Sequence, residues 1–205
     1  EEKQRILSNN IYGVDIDSQA VEVTKLSLLL KLMEGESQES TGLLFKFSDV
    51  KLLPDLSDNI KCGNSLIGSD FYESGQLSLF QDEETVRRIN VFDWEKEFAP
   101  IFSKGGFDVV IGNPPYIRQE MLGEFKNYFK DHYQVYNGIA DIYVYFIEKG
   151  INLLKQNGLF GIIVANKWMR AGYGEQLRKY LKQKNILEII DFGDLPVFEQ
   201  ATTYP

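Results

Sequence analysis

Phe107-Asp108-Val109-Val110-Ile111-Gly112-Asn113-Pro114-Pro115-Tyr116 carries the strongest fold signal of the chain. The apolar run up to Gly112 reads as a strand, and the proline pair that follows must end it, because proline has no N–H for a ladder. The tetrapeptide at the strand's carboxyl end suits the capture of a planar amino group. The Asn113 side-chain carbonyl can accept one N–H of a substrate –NH2. Pro115 restricts Pro114 to extended backbone, which aims the Pro114 carbonyl at the second N–H. With both protons held to one side, the nitrogen lone pair is drawn out of conjugation toward an electrophile. Tyr116 offers a flat face on which a base can stack. The chemistry this suits is methyl transfer to an exocyclic amine. Pro-Pro after a strand also serves as a plain rigid turn, and an aromatic after it as core, so the segments around it must decide.

On either side of this segment the chain alternates strand and helix, which predicts an α/β fold with a mainly parallel sheet. Asn10–Asp17 reads as a short strand ending in acids. Ser18–Met33 reads as a helix capped by Asp17 or Ser18, apolar around much of its girth and therefore expected to be largely buried. Residues 34–58 are irregular, Ile60–Ile67 reads as a strand running into a loop, and 68–88 are polar and expected to be mobile. Val91–Ser103 reads as a weaker helix closed by Gly105-Gly106. Helices are predicted near Met121–Lys130 and from about Ile139 to Leu154, the latter stopped by Gln156-Asn157-Gly158. Leu159–Ala165 is continuously apolar, the pattern of a strand buried on both faces. Gly174–Lys184 reads as a basic helix and Ile186–Phe192 as another strand. No repeat or low-complexity tract interrupts this order.

Composition narrows the function classes. The 205 residues suffice for one domain with a sizeable core, at 43% hydrophobic and 25% charged residues. No stretch approaches the roughly 18–20 apolar residues a membrane span needs, and Glu1-Glu2-Lys3-Gln4-Arg5 does not read as a signal peptide. A cytoplasmic protein is expected. Cys62 is the only cysteine, so no disulfide framework exists, and it is expected to be a small buried hydrophobe. With one histidine, His132, read as a surface residue at a helix end, neither a zinc site nor a Ser-His-Asp hydrolase is expected. The net charge of −8 argues against this stretch being the main grip on a polyanion. The distribution is uneven: residues 1–105 carry 11 Lys/Arg against 19 Asp/Glu, whereas residues 106–205 carry 11 of each. Any nucleic-acid face is expected on the second half.

Further candidates lie at strand ends. Asp15 is suited to the ribose hydroxyls of an adenosine cofactor, while Asp17 is better explained as the helix cap. Ile16 between them could pack on the adenine face. Asn64, at the end of the next strand, could bond the adenine edge or serve as a turn asparagine. Arg118, Lys167, Trp168, Arg170 and Tyr173 mix cations with aromatics, as a phosphate-tracking surface or a solvated loop would. Arg178, Lys179, Lys182 and Lys184 read as a solvated helix face.

The segments "NIYGVDIDSQAVEVTKLSLLL", "IKCGNSLIGSDF", "FDVVIGNPPYIRQE", "GIADIYVYFIEKGINLLKQNGLFGIIVANKWMRAGYGEQLRKYL" and "ILEIIDFGDLPVFEQATTYP", in this order, resemble the methyltransferase core of the Eco57I-like N6-adenine DNA methyltransferases, restriction–modification enzymes and their phage-defence relatives. The resemblance covers nearly the whole chain. It implies a Rossmann-like methyltransferase fold, S-adenosylmethionine as donor, and adenine N6 in double-stranded DNA as acceptor, the base being flipped out of the helix. It implies that Asn113 and the Pro114 carbonyl hold N6, that Pro115 fixes their geometry, and that Tyr116 stacks on the adenine. Phe198 matches the family's second aromatic against the flipped base. Asp15 matches the ribose acid, Ile16 the adenine contact, and Asn64 the polar residue near the cofactor adenine.

The family's glycine-rich cofactor loop would precede the strand ending at Asp15, and Glu1–Asn9 contain no glycine. Residues 1–205 are therefore expected to be a partial catalytic domain without the first strand, and without target-recognition or nuclease domains. That strand lies centrally in the family's sheet, so two inner strands are expected to show unpaired edges, closed by direct pairing, by the N-terminal region, or by dimerisation. Such a piece alone is expected to bind S-adenosylmethionine poorly and to be inactive. Two other functions stay open: methylation of a protein glutamine or ribosomal guanine amine, and a non-catalytic scaffold that keeps the fold.

Overall fold

The computed structural model describes residues 2–34, 54–72, 83–115, 123, 125–193 and 195. It divides into two compact units, one ending at Ser103 and the other starting at Lys104.

In the first unit α1 (Glu2–Asn10) leads into β1 (Gly13–Asp15), and α2 (Ser18–Met33) follows. β2 (Ile60–Cys62) pairs parallel with β1 in the register Gly13↔Ile60, Val14↔Lys61, Asp15↔Cys62. Buried Asn59 fixes the entry to this pair. Its Nδ2 donates to the Ser8 and Ile11 carbonyls, both at 2.9 Å, and its carbonyl accepts the Gly13 N–H. Leu7, Val21, Leu56 and Ile60 form one buried cluster, with Leu28, Leu29 and Leu32 packed against it. After a 3-10 turn (Ser69–Tyr72), α3 (Glu83–Ile89) leads to Asn64↔Val91, a parallel bridge on the outer side of β2. The expected helix over Val91–Ser103 is two short ones, α4 (Trp94–Glu97) and α5 (Ala99–Phe102), broken at Phe98. Phe98 is buried because its ring packs on Phe92, Trp94 and Tyr12. Gly105 and Gly106 then turn the chain at φ 97° and 118°.

Two further expectations for this unit fail. α2 has the expected bounds but buries only Val21, leaving Val23, Leu26 and Leu30 more than half exposed. A pair of three-residue strands covers one stripe of a sixteen-residue helix and no more. Cys62 is exposed rather than buried. It is the last residue of β2, where its Sγ meets the Ile16 carbonyl at 3.5 Å and accepts from Asn90 Nδ2 at 3.3 Å.

In the second unit β3 (Phe107–Gly112) pairs parallel with β4 (Leu154–Ile162). α6 (Lys126–His132) and α7 (Tyr143–Asn152) lie between them in sequence, and α8 (Glu175–Leu181) follows. The helix expected from Ile139 starts only at Tyr143, and its expected stop, Gln156-Asn157-Gly158, lies inside β4 as a bulge. Asn157 takes φ 64° there, and the register jumps from Phe107↔Leu154 to Val109↔Leu159. α7 packs on one sheet face so closely that a Cβ on Gly150 would lie 2.4 Å from Phe160 Cε2. Val109, Ile111 and Leu159 point to the other face and are more than half exposed, so the strands are not buried on both faces. Ile186–Phe192, expected as a strand, forms no ladder and is exposed. His132 is exposed at the end of α6, as expected, stacked on Tyr128 at 3.9 Å.

Both sheets are small and parallel, and the architecture is α/β. Among the described residues β1 pairs only with β2 and β3 only with β4. No helix among them is long and apolar enough to cross a membrane, and no group of three or more His, Cys, Asp or Glu side chains among them could hold a metal.

Candidate functional site

The carboxyl ends of the two strand pairs gather the sequence candidates in two groups. In the first unit the Gly63 N–H donates to the Asp15 carbonyl at 2.8 Å, so the residues leaving β1 and β2 are neighbours. Asp15 is exposed; its Oδ1 accepts the Asp17 N–H at 2.8 Å, and Oδ2 has no partner among the described residues. Asp17 caps α2 through a 2.8 Å bond from the Gln19 N–H, with extended backbone. The division of labour between the two acids is the expected one on the side of the cap. Ile16 is 53% exposed between them.

Asn64 is already engaged. Its Oδ1 accepts the Leu66 N–H at 3.1 Å and its Nδ2 donates to the Ile89 carbonyl at 3.2 Å. Each atom keeps one further hydrogen-bonding position. The turn after Asn64 is held from outside the sheet: Trp94 Nε1 donates to the Ser65 carbonyl at 3.1 Å, and the Asp93 carboxylate accepts from the Ser69 N–H and hydroxyl at 3.1 and 2.5 Å. Hydrogen bonds from Lys96 and Ser69 hold the Asp93 carboxyl down at about 2. A 920 Å³ open cavity beside this turn is lined by residues of α2, β2 and the 91–97 segment, Lys61, Cys62 and Glu97 among them.

In the second unit β3 and β4 end side by side, with Gly112 opposite Ile162 and the Ile163 N–H donating to the Gly112 carbonyl at 3.1 Å. Asn113 leaves this edge exposed, and its amide makes no hydrogen bond among the described residues. Pro114 behind it is buried and Pro115 exposed. A 460 Å³ groove runs along Ile111, Gly112, Asn113, Gly161, Ile162 and Ile163. Tyr116, Arg118 and Phe198 lie outside the described residues.

β4 runs on into two 3-10 turns, Asn166–Met169 and Gly172–Gly174, which carry the exposed Lys167 and Arg170. The sequence did not reveal what holds this loop. Tyr143, fully buried at the start of α7, shares a 2.8 Å hydrogen bond with the Tyr173 hydroxyl, which donates to Asp141 Oδ2 at 3.2 Å. Burial, then Tyr173, pushes the Tyr143 hydroxyl far above its usual range, a hydrogen bond from the Trp168 backbone opposing; burial also raises Tyr173. Both hydroxyls therefore keep their protons. Arg178 does not belong to a solvated face. Half-buried, its Nη1 donates to the Trp168 carbonyl at 2.5 Å and the Ala171 carbonyl at 2.9 Å. The only hint in the sequence was an arginine one turn into a helix behind a glycine.

Past the loop, Asp191 accepts from the Gly193 N–H at 3.0 Å and from Asn166 Nδ2 at 3.2 Å, which lowers its pKa. Beneath it all, buried Glu148 accepts from the Gln134 and Val135 N–H groups and fixes the segment between α6 and α7.

Residues 9–198 match the family described as Eco57I restriction-modification methylase. The whole chain is 35% identical to 19% of the type II restriction enzyme and methyltransferase RM.Eco57I of Escherichia coli. Over 48% of its length it is 38% identical to 18% of the type II methyltransferase M.BstVI of Geobacillus stearothermophilus. Over 79% of its length it is 35% identical to 32% of the type II methyltransferase M.HincII of Haemophilus influenzae. The chain thus spans between about a fifth and a third of these relatives.

Proposed function

The chain belongs to the Eco57I restriction-modification methylase family, and on that premise we propose that the protein carrying it transfers a methyl group to adenine N6 in double-stranded DNA. The fold is read as that of a Rossmann-like methyltransferase, and residues 1–205 as part of the catalytic domain. The observation that carries the reading is Asn113: an exposed amide without a partner among the described residues, at the end of β3 and followed by buried Pro114.

Asn113 Oδ1 and the Pro114 carbonyl accept the two N–H bonds of the target amine and leave its lone pair free. Pro115 keeps the Pro114 carbonyl in place, and Tyr116 and Phe198 hold the flipped base by stacking. Displacement at a methyl group asks for alignment and exclusion of water rather than a general base. S-adenosylmethionine supplies the electrophilic methyl when bound. Asp15 suits its ribose, since Oδ2 is uncommitted. Ile16 offers an exposed apolar surface to its adenine, and Asn64 has one hydrogen-bonding position left on each amide atom. Arg118, Lys167 and Arg170 are assigned to the DNA backbone.

The test is to incubate the full-length protein with S-adenosylmethionine and unmethylated duplex DNA, digest to nucleosides and analyse by mass spectrometry. N6-methyladenine is expected. Methylation of cytosine instead, or of protein or RNA amines with none on DNA, would overturn the proposal.

A further inference from the structure

The loop after β4 is fixed from within at three separate points. Arg178 Nη1 holds two of its carbonyls, those of Trp168 and Ala171. Gly174 lets the chain return over its own start: a Cβ there would lie 2.0 Å from the Trp168 carbonyl oxygen and 2.8 Å from Arg178 Nη1. The Tyr143–Tyr173–Asp141 chain ties the loop to the first turn of α7. All three act on backbone or on inward side chains, while Lys167 and Arg170 remain exposed. β4 ends at Ile162 opposite Gly112, Ile163 shares a groove with Asn113, and the loop follows from Asn166. A backbone held this firmly costs little further entropy when its cations meet a polyanion.

We propose that Arg178 is a positioning residue, which acts through the Asn166–Gly174 loop to present Lys167 and Arg170 as a preformed contact for the phosphates of the DNA substrate. The proposal rests on the methyltransferase reading for its substrate, but not for the rigidity of the loop. Removing the guanidinium frees the two carbonyls and lets the loop move, so substrate capture weakens while the Asn113 chemistry stays intact.

Two readouts on the full-length protein test it. Trypsin cleaves after Lys167 and Arg170, so Arg178→Ala is expected to speed cleavage at these two bonds at least tenfold, with sites outside the loop unchanged apart from the bond after residue 178, which the substitution removes. In methylation assays Arg178→Ala is expected to raise the KM for DNA about tenfold, with kcat within threefold and cofactor affinity within twofold. Arg178→Lys, which can reach one carbonyl, recovers part of both. Unchanged cleavage, or a loss confined to kcat, overturns the proposal. If Arg178→Ala fails to fold, Tyr173→Phe decides: it removes only the hydroxyl bonds, and must show the same faster cleavage and raised KM, or the proposal falls. A wild-type protein that methylates no DNA sinks the function reading and the phosphate role, while the cleavage comparison still judges the clamp.

Discussion

Gly63 packs against the Phe92 side chain: a Cβ on Gly63 would fall 2.4 Å from Phe92 Cδ2 and 2.7 Å from its Cβ. Gly63 follows β2, and Phe92 is buried with Trp94 edge-on at 5.4 Å. The turn carrying Asn64 is therefore moulded on an aromatic wall. Gly63→Ala must displace Phe92 and is expected to cost about 1–3 kcal/mol in urea unfolding. A loss below about 0.5 kcal/mol would show that the wall yields freely.

Asp93 gives this turn an acid dependence. Its folded pKa of about 2 lies below the usual value near 3.8, owing to Lys96 and Ser69. The stabilisation is thus present above about pH 4 and is lost as pH falls toward 2. With the side chain partly solvated, it is worth on the order of 1 kcal/mol. The stability gap between wild type and Asp93→Asn is expected to be constant from pH 7 to 5 and to shrink from pH 4 to 2. A gap that persists at pH 2 would contradict the account.

Glu148 satisfies two backbone N–H groups, those of Gln134 at 3.1 Å and Val135 at 2.9 Å. Glu148→Ala strands the buried Val135 N–H and removes the acceptor of the part-buried Gln134 N–H, an expected loss of about 1–3 kcal/mol. Glu148→Gln keeps one acceptor and is expected to lose about half as much. Equal losses for the two variants would mean that volume, not the hydrogen bonds, matters.

The acids flanking Ile16 are separable. Asp17→Ala removes the cap bond to Gln19 and is expected to cost about 1 kcal/mol of stability with cofactor affinity unchanged. Asp15→Ala is expected to weaken S-adenosylmethionine binding by the full-length protein at least tenfold, read by calorimetry. The reverse pattern would exchange their roles.

How far the sequence could be read follows from where the information resides. α2 was legible because Asp17 can cap it and apolar residues recur around its girth over the sixteen residues that follow. The end of β3 was legible because two prolines forbid any continuation. Asp15, Asn64 and Asn113 were legible as candidates because strand ends are where an α/β fold exposes side chains. α1 was missed because only Ile6 and Leu7 mark an apolar side in Glu2–Asn10. Asn157-Gly158 misled because a left-handed asparagine stops a helix or makes a strand bulge with the same residues. Ile186–Phe192 has a strand's composition, but a ladder needs a neighbour, which local sequence does not supply. The Tyr143–Tyr173 bond joins residues 30 apart, and Arg178 binds backbone carbonyls, which leave no mark on residue identity.

The measurement that tests the central claim most directly is the single-turnover rate of DNA methylation by the full-length protein and its Asn113→Ala variant, with DNA and cofactor affinities measured alongside. The expected result is a rate at least a thousandfold lower, with both affinities within threefold of wild type. A variant that methylates within tenfold of the wild-type rate would contradict it.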